Sequence, residues 1–411
     1  MGNSSAKKVI GYYDDSVNPG GTTRYLSTLI SGLNRSEFDV IVFAPEPRPW
    51  HRDFEAIGCE LVTLKSAAAE HSPAPSHGGT QASSSKPRLR AFAGWFLGLA
   101  KETMRLRRLF QTRRVDLLHS NNAGAEPAPI AARLAGVPVV IATWHVDSTY
   151  DLDNVRSGPR YRLLERACMR SLHHAISVSH AVSDDWMRRC GLPASWRKRI
   201  TVIHNGIDID GLCRRRSLCD AKAEAGLGEK LVIGSIGRLD AAKGYEYLIK
   251  ALPKIIDRHP EALLRIAGRG DLLEPLEQLA RELGVDSSLE FTGFTADVQS
   301  FLECIDIYVQ PSICEALGLS ILEACAVGVP VIGSNVGGLP ESIRQGRTGF
   351  LVPPRQPDAL AEAVLRMADK PSLRARMAEE ARRVVSENFR REQMVEETVS
   401  VYRRLLAGNG H

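Results

Sequence analysis

The chain has 411 residues, of which 44% are hydrophobic and 25% are charged, proportions that exclude a disordered or fibrous protein. No apolar run approaches the roughly 20 residues of a membrane-spanning helix, and the first residues lack the apolar stretch of a signal peptide. The eight cysteines have neither a CxxC pair nor a zinc-like spacing, so we expect reduced thiols, a cytoplasmic protein and no metal site.

In chain order, the first half alternates short apolar runs with helical patterns. We predict strands at residues 9–13, 38–43, 59–64, 117–119, 139–143 and 175–178. Such alternation is typical of an α/β fold with a parallel sheet. Residues 66–88, rich in Ala, Ser, Pro, His and Gly, are predicted to form a flexible insertion.

The segment 86–114 is unusually basic and also carries aromatic and aliphatic residues. The charge of the whole chain is also unevenly distributed. Residues 1–205 hold 27 Lys and Arg against 18 Asp and Glu, while the rest of the chain holds 26 Lys and Arg against 30 Asp and Glu. Two interpretations stay open. The segment is either a helix that lies on the inner face of an anionic membrane, or a packed helix with a solvated basic face.

The second half repeats the strand–helix alternation. Strands are predicted at 231–236, 263–267, 289–291, 307–309 and 331–333, and the chain after 371 is mostly helical. The turn-prone pair Asn205-Gly206 suggests the boundary. We therefore expect two Rossmann-like domains, 1–205 and 206–385, with a cleft between them and a terminal segment, 386–411.

The most informative phrase surrounds two glutamates eight positions apart, Glu315 and Glu323. Glu315 follows the predicted strand 307–309 in a loop, and Gly318 precedes a predicted helix that starts at Leu319. A glycine turn that leads into a helix presents free backbone N–H groups and the positive end of the helix dipole, which favour an anion. A carboxylate on either side of this anion site suits a ligand with a sugar, a diphosphate and a ribose.

Three further features suit a ligand at the ends of the strands. Arg238 follows Gly237 at the end of a predicted strand, and Lys243 lies five residues on, so the two cations are a plausible diphosphate clamp. The tandem Gly20-Gly21 permits close approach of the backbone to a ligand. His145 follows the strand 139–143, at the end of a strand where α/β folds bind ligands.

The phrase from Glu315 to Glu323 resembles the E-x7-E motif of the retaining GT-B glycosyltransferases of family 4, the group 1 superfamily. The tandem glycine, the Gly237-Arg238 pair with Lys243, and the phrase 205–208 extend the resemblance over most of the chain. The commoner family pattern has Phe where this chain has Leu317. The resemblance implies two Rossmann-like domains, with a terminal helix that returns to the first.

The resemblance also implies a function: transfer of a hexose from a nucleotide-diphosphate sugar, a UDP-sugar or GDP-mannose, with retention of anomeric configuration. It places His145 and Glu315 at the transferred sugar, Glu323 at the ribose diol, and Arg238 and Lys243 at the diphosphate. No cofactor, metal or nucleic acid is expected. The expected acceptor is a lipid-linked glycan or polysaccharide intermediate, with a soluble small molecule as the alternative. The residues expected at the donor are Gly20, Gly21, Gly237, Arg238, Lys243, Glu315, Leu317, Gly318, Leu319 and Glu323.

Other functions are compatible with a similar fold. A nicotinamide-dependent oxidoreductase would need G-x-G-x-x-G, whose third glycine is missing after Gly268-Arg269-Gly270. A sugar-nucleotide epimerase stays open, whereas a phosphorylase would need a phosphate or pyridoxal phosphate site that the sequence does not locate. A non-catalytic binding protein would have little need for both cations and both glutamates.

Overall fold

The computed structural model describes residues 7–16, 20–46, 48, 50–64, 88–121, 126–145 and 159–408. The predicted insertion at 66–88 lies, apart from its last residue, outside this part of the chain. The described residues form two parallel sheets with helices on both faces of each. The α/β prediction is therefore confirmed.

The first sheet has seven parallel strands in the order β3-β2-β1-β4-β5-β6-β7. Its central strands β4 and β5 are buried along their whole length because helices cover both faces. The strands are β1 (Lys8–Tyr13), β2 (Phe38–Ala44), β3 (Glu60–Thr63), β4 (Leu117–Ser120), β5 (Val139–Trp144), β6 (His174–Ser177) and β7 (Ile200–Val202).

Six described helices accompany this sheet, and the basic segment forms the longest of them. They are α1 (Gly21–Ser31), α2 (His51–Ala56), α3 (Arg88–Thr112), α4 (Pro127–Ala135), α5 (Pro159–Ser171) and α6 (His180–Arg189). None of the helices in the described part of the chain is long and apolar enough to cross a bilayer.

The second sheet has six parallel strands in the order β10-β9-β8-β11-β12-β13. The sequence did not predict its last strand, since that strand is only four residues long and begins with a glycine. The strands are β8 (Leu231–Ile236), β9 (Ala262–Ala267), β10 (Leu289–Gly293), β11 (Ile307–Gln310), β12 (Val331–Ser334) and β13 (Gly349–Val352).

The helices around the second sheet include α11, which follows β11 as the sequence predicts. They are α7 (Leu218–Glu224), α8 (Tyr245–Arg258), α9 (Leu273–Glu282), α10 (Val298–Glu303), α11 (Leu319–Val327), α12 (Leu339–Ser342), α13 (Pro357–Ala368) and α14 (Pro371–Asn388).

The chain passes between the two sheets twice, at adjacent positions. Ile207 donates its N–H to the carbonyl of Phe389 (2.9 Å) and accepts from the N–H of Arg391 (3.1 Å). A Cβ on Gly206 would lie 2.5 Å from the carbonyl oxygen of Arg390, so only glycine fits this crossing. The last helix, α15 (Arg391–Gly408), then packs on the first sheet, where the hydroxyls of Tyr402 and Tyr12 are 3.0 Å apart.

Both sheets reverse their strand order next to their first strand, between β1 and β4 in one and between β8 and β11 in the other. In open parallel sheets, ligands bind outside the carboxyl ends of the strands at this reversal. The two carboxyl edges face each other, because a Cβ on Gly21 at the start of α1 would lie 3.3 Å from Cδ1 of Leu319 at the start of α11. The fold thus points to a site between the sheets.

Candidate active site

A short ion pair at the edge of the second sheet joins Lys243 to Glu315. The ammonium lies 2.6 Å from Oε2 of the carboxylate, and both side chains are largely buried. Lys243 comes from the loop after β8 and Glu315 from the loop after β11, the two strands that flank the reversal. A buried cation and a buried acid therefore stand together where a ligand is expected.

The loop after β8 owes its course to glycines and to one aspartate. Asp240 accepts from the backbone N–H of Lys243 (3.2 Å) and caps a short 3-10 turn. Gly244 ends that turn at φ 64°, and a Cβ there would lie 2.3 Å from the carbonyl oxygen of Pro311. Arg238 pairs with Asp240 at 2.8 Å and is half exposed. The loop thus places both predicted cations at the edge of the sheet.

A buried polar chain orients Glu315. The hydroxyl of Tyr308 donates to Oε1 of Gln310 (2.8 Å), whose amide donates to Ser312 (2.8 Å), and Ser312 donates to Glu315 (3.2 Å). Ser320 at the start of α11 donates to the same Gln310 oxygen (3.0 Å). Gln310 and Ser312 are not among the site residues predicted from the sequence. Their signal is a polar residue that directly ends a buried strand.

The glycine turn into α11 has the predicted form, but not every residue predicted there faces the cleft. Gly318 has φ 85°, and a Cβ on it would lie 2.6 Å from Cδ2 of Leu339, so glycine is required. The side chain of Leu317 is buried in the core below the loop. The Leu317 side chain therefore packs in the core. The first turn of α11, from Leu319, has backbone N–H groups without a partner inside the helix, and these lie at the cleft.

Glu323 is buried, and its carboxylate is paired with a cation of the first domain. Oε1 lies 2.5 Å from Nη2 of Arg24, which belongs to α1 of the first sheet. The sequence could not show this contact because the two residues are 299 positions apart.

The edge of the first sheet carries a row of hydrogen-bonded polar groups. Asn121, just after β4, donates to Oδ1 of buried Asp14 (3.2 Å), and its own Oδ1 lies 3.2 Å from Nε2 of His145. The ring of Tyr25 meets His145 edge-on at 4.5 Å. Burial lowers the pKa of His145 to about 3, so the imidazole is neutral near pH 7. His145 is thus suited to hydrogen bonding without a charge.

The predicted glycines differ in how closely other atoms surround them. Gly21 starts α1 in contact with α11, whereas Gly20 has an extended backbone and open space around it. Gly237 is needed, because a Cβ there would lie 2.8 Å from the Tyr245 hydroxyl. His119 is fully buried between Thr143 and Tyr402, as expected for a core residue.

Glu341 forms a second contact between the domains of the two sheets. Its carboxylate accepts from the backbone N–H groups of His180 (2.9 Å) and Ala181 (3.0 Å) at the start of α6, and lies 2.9 Å from Nε2 of His204. Burial acts to raise its pKa, but these hydrogen bonds outweigh burial and hold the pKa below 4.5. The ionised carboxylate thus complements the positive end of α6.

Among the residues that the structure describes, no group of three or more His, Cys, Asp or Glu side chains is arranged to hold a metal ion. None of the eight cysteines forms a disulfide bond, and Cys314 beside Glu315 is buried. The site as described consists of cations, carboxylates, amides and helix ends.

Comparison with known proteins gives two family matches that together span most of the chain. Residues 19–210 match the model for Glycosyltransferase Family 4, and residues 220–384 match that for Glycosyl transferases group 1. A glycogen synthase of Mycobacterium tuberculosis is 32% identical over 307 residues, which cover 73% of this chain and 72% of that protein. An uncharacterized glycosyltransferase, MJ1607 of Methanocaldococcus jannaschii, is 34% identical, but the match covers only 56% of this chain and 59% of that protein.

Solved structures show the same fold over nearly the whole chain. Anabaena Alr3699/HepE, crystallised in complex with UDP, superimposes with a TM-score of 0.76 at 20% identity, covering 97% of this chain and 100% of that one. This confirms the GT-B arrangement of two Rossmann-like domains.

Proposed function

The chain belongs to the group 1 glycosyltransferases of family 4, and on this premise we propose that it transfers a hexose from a nucleotide-diphosphate sugar with retention of anomeric configuration. A UDP-sugar or GDP-mannose is the proposed donor. The structural neighbour HepE was crystallised in complex with UDP, which supports a nucleotide-containing donor.

The observation that carries this proposal is the buried ion pair of Lys243 with Glu315 at the strand reversal. Without a ligand, each group neutralises the other. A nucleotide-diphosphate sugar supplies better partners to both, because its sugar hydroxyls donate to Glu315 and its phosphates accept from Lys243 and Arg238. The same molecule offers a ribose diol to Glu323. One ligand with this order of groups therefore offers a partner to each of the four predicted donor-binding charges, Lys243, Arg238, Glu315 and Glu323.

The reaction follows from this placement. The bond between the anomeric carbon and the diphosphate oxygen breaks, and negative charge develops on the leaving group. Lys243, Arg238 and the first turn of α11 stabilise that charge by fixed positive potential. The acceptor oxygen bonds to the anomeric carbon from the side of the departing phosphate, and the acceptor's proton passes to a phosphate oxygen. The transferred sugar is held by the neutral imidazole of His145 and by the carboxylate of Glu315. No metal or other cofactor takes part in this proposal.

The direct test incubates the protein with UDP-, GDP- and ADP-hexoses, and detects free nucleoside diphosphate and glycosylated or hydrolysed product. The proposal predicts release from one donor class, with the anomeric configuration retained by proton NMR. Interconversion of the sugar while it stays attached to the nucleotide would instead identify an epimerase.

For the acceptor, we propose a lipid-linked glycan or polysaccharide intermediate that this protein meets from the cytoplasm at an anionic membrane surface. The support lies on α3. Phe96, Leu97 and Met104 are exposed apolar side chains, and Lys101, Arg105 and Arg108 are exposed beside them. A helix face of this composition suits an anionic lipid surface. Trp95 packs against the core and Arg113 pairs with Glu60, so neither belongs to this face.

Flotation with vesicles of phosphatidylcholine and phosphatidylglycerol tests the membrane proposal. We expect the wild type to float and the triple variant Lys101→Gln, Arg105→Gln, Arg108→Gln to float far less, since each basic residue near the surface contributes about 1 kcal/mol. The matched control changes three exposed arginines of α14 and α15, Arg376, Arg382 and Arg404, to Gln. Equal flotation of both triple variants would refute the role of the basic residues of α3. No flotation of the wild type would favour a soluble acceptor, as the similarity to a glycogen synthase suggests.

A further inference from the structure

Arg24 is the one cation of the described cleft that reaches from the first domain to a predicted donor-binding acid of the second. Its side chain is 61% exposed, yet its guanidinium lies 2.5 Å from the carboxylate of Glu323, which is only 3% exposed. The arginine therefore occupies Oε1 of the carboxylate that the proposed function assigns to a ribose diol. A bound donor and this ion pair compete for the same carboxylate.

The geometry of the two helices shows where the guanidinium can go. The helices α1 and α11 begin side by side at Gly21 and Leu319, whose atoms meet across the cleft. Arg24 lies three residues beyond Gly21 and Glu323 four residues beyond Leu319, so the ion pair sits about one helical turn, roughly 5 Å, behind the two N-termini. A long arginine side chain spans such a distance by a change of rotamer.

We propose that Arg24 exchanges partners when the donor binds, leaving Glu323 for the donor diphosphate at the joint N-termini of α1 and α11. This inference rests on the proposed function and extends it to a residue of the first domain. The ribose hydroxyls take the place of the guanidinium on Glu323, and the phosphates take the place of Glu323 on Arg24. An ion pair between the domains is thereby replaced by a contact that runs through the donor.

This exchange makes Arg24 a selector for phosphorylated ligands. A nucleoside alone must displace Arg24 from a buried carboxylate without offering it a new partner, which is unfavourable. A nucleoside diphosphate offers two phosphates to the displaced cation. The arginine therefore weakens the binding of ligands that lack the diphosphate and strengthens the binding of ligands that carry it.

Removal of Arg24 should change the affinities for a nucleoside and for a nucleoside diphosphate in opposite directions, which provides the test. Calorimetric titration of wild type and Arg24→Gln with UDP and uridine, and in parallel with GDP and guanosine, measures the two effects separately. We expect the variant to bind the preferred nucleoside diphosphate about tenfold more weakly, the loss of one charge-assisted hydrogen bond, and the matching nucleoside more tightly than the wild type does. Arg24→Lys retains the charge and should recover part of the diphosphate affinity. Arg382→Gln, on the exposed face of α14, is the matched control.

Equal weakening of nucleoside and nucleoside diphosphate by Arg24→Gln would overturn the exchange and leave Arg24 a merely structural contact. Unchanged affinity for both would also overturn it. Circular dichroism and the thermal midpoint establish that each variant is folded. Failure of the wild type to bind any nucleoside diphosphate would be a different result, since it would refute the proposed function itself.

Discussion

At the edge of the second sheet, Lys243 pairs with Glu315 and Arg238 with Asp240, so charge faces charge. At the edge of the first sheet, Asp14 and Asn121 form a hydrogen-bonded row that ends in a neutral histidine. Both edges derive from the same strand order. The fold therefore sets where a ligand lies, and the side chains that follow each strand decide whether that edge receives phosphate or hydroxyl groups.

The largest effect on catalysis should come from substitutions in the charged edge, which is the edge of the second sheet. We expect Lys243→Ala to lower kcat by about 10²–10³-fold, because a preorganised cation at the developing charge is lost. Arg238→Ala should also lower kcat, by less, since Arg238 is half exposed and pairs with Asp240. Steady-state kinetics on the preferred donor checks both. Near-normal turnover of both variants, with normal thermal midpoints, would dismiss the diphosphate clamp.

The neutral edge should respond more weakly and without a pH signature. We expect His145→Ala to lower kcat/KM by about 10–100-fold, the range for a buried hydrogen bond that is left unmade. Because burial lowers the pKa of His145 to about 3, the wild-type rate should show no inflection from this residue between about pH 5 and 8. His259→Gln, away from the strand ends that meet at the cleft, is the control. An inflection near pH 6.5 that His145→Ala removes would contradict the neutral assignment.

The contact of Glu341 with α6 should give a smaller, pH-dependent effect on stability. We expect Glu341→Gln to reduce the free energy of unfolding by about 1 kcal/mol at pH 7, because the charge that faces the helix end and His204 is removed. The pKa of Glu341 is lowered in the folded protein, so its contribution is complete above pH 4.5 and is lost as the pH falls through the lower folded-state value. Urea titrations of wild type and variant at pH 7 and below 4.5 measure this. A difference that grows on acidification would refute this account.

The smallest expected effect is that of metal removal. Since two fixed cations and a helix end serve the diphosphate in this proposal, we expect treatment with EDTA to leave kcat unchanged. The control is the same assay with added Mg²⁺ or Mn²⁺. Activity that EDTA abolishes and only Mg²⁺ or Mn²⁺ restores would show that the charged edge is incomplete without an ion.

Local sequence predicted the strands and the glycine turns well, because alternation of apolar runs and turn residues directly reflects burial. The strand Gly349–Val352 was not predicted, because four residues are too few to show a recognisable hydrophobic pattern. Lys243 and Glu315 could be assigned to one site because both follow strands of one sheet.

Contacts between distant segments could not be predicted from local pattern. The partners Arg24 and Glu323 are 299 positions apart, and Glu341 meets α6 across 160 positions. Neither sequence spacing nor propensity encodes how two domains face each other. The burial that gives His145 its low pKa is likewise a property of the assembled edge.

The central claim is that the charged edge of the second sheet binds a diphosphate through Lys243. The most direct measurement is calorimetric titration of UDP and GDP into wild type, Lys243→Ala and Lys250→Ala, the last a lysine of α8 that pairs with Glu246 at the surface. The account predicts that wild type and Lys250→Ala bind one nucleoside diphosphate equally, while Lys243→Ala loses about 10–100-fold in affinity. Equal binding by all three proteins, or binding by none, would contradict it.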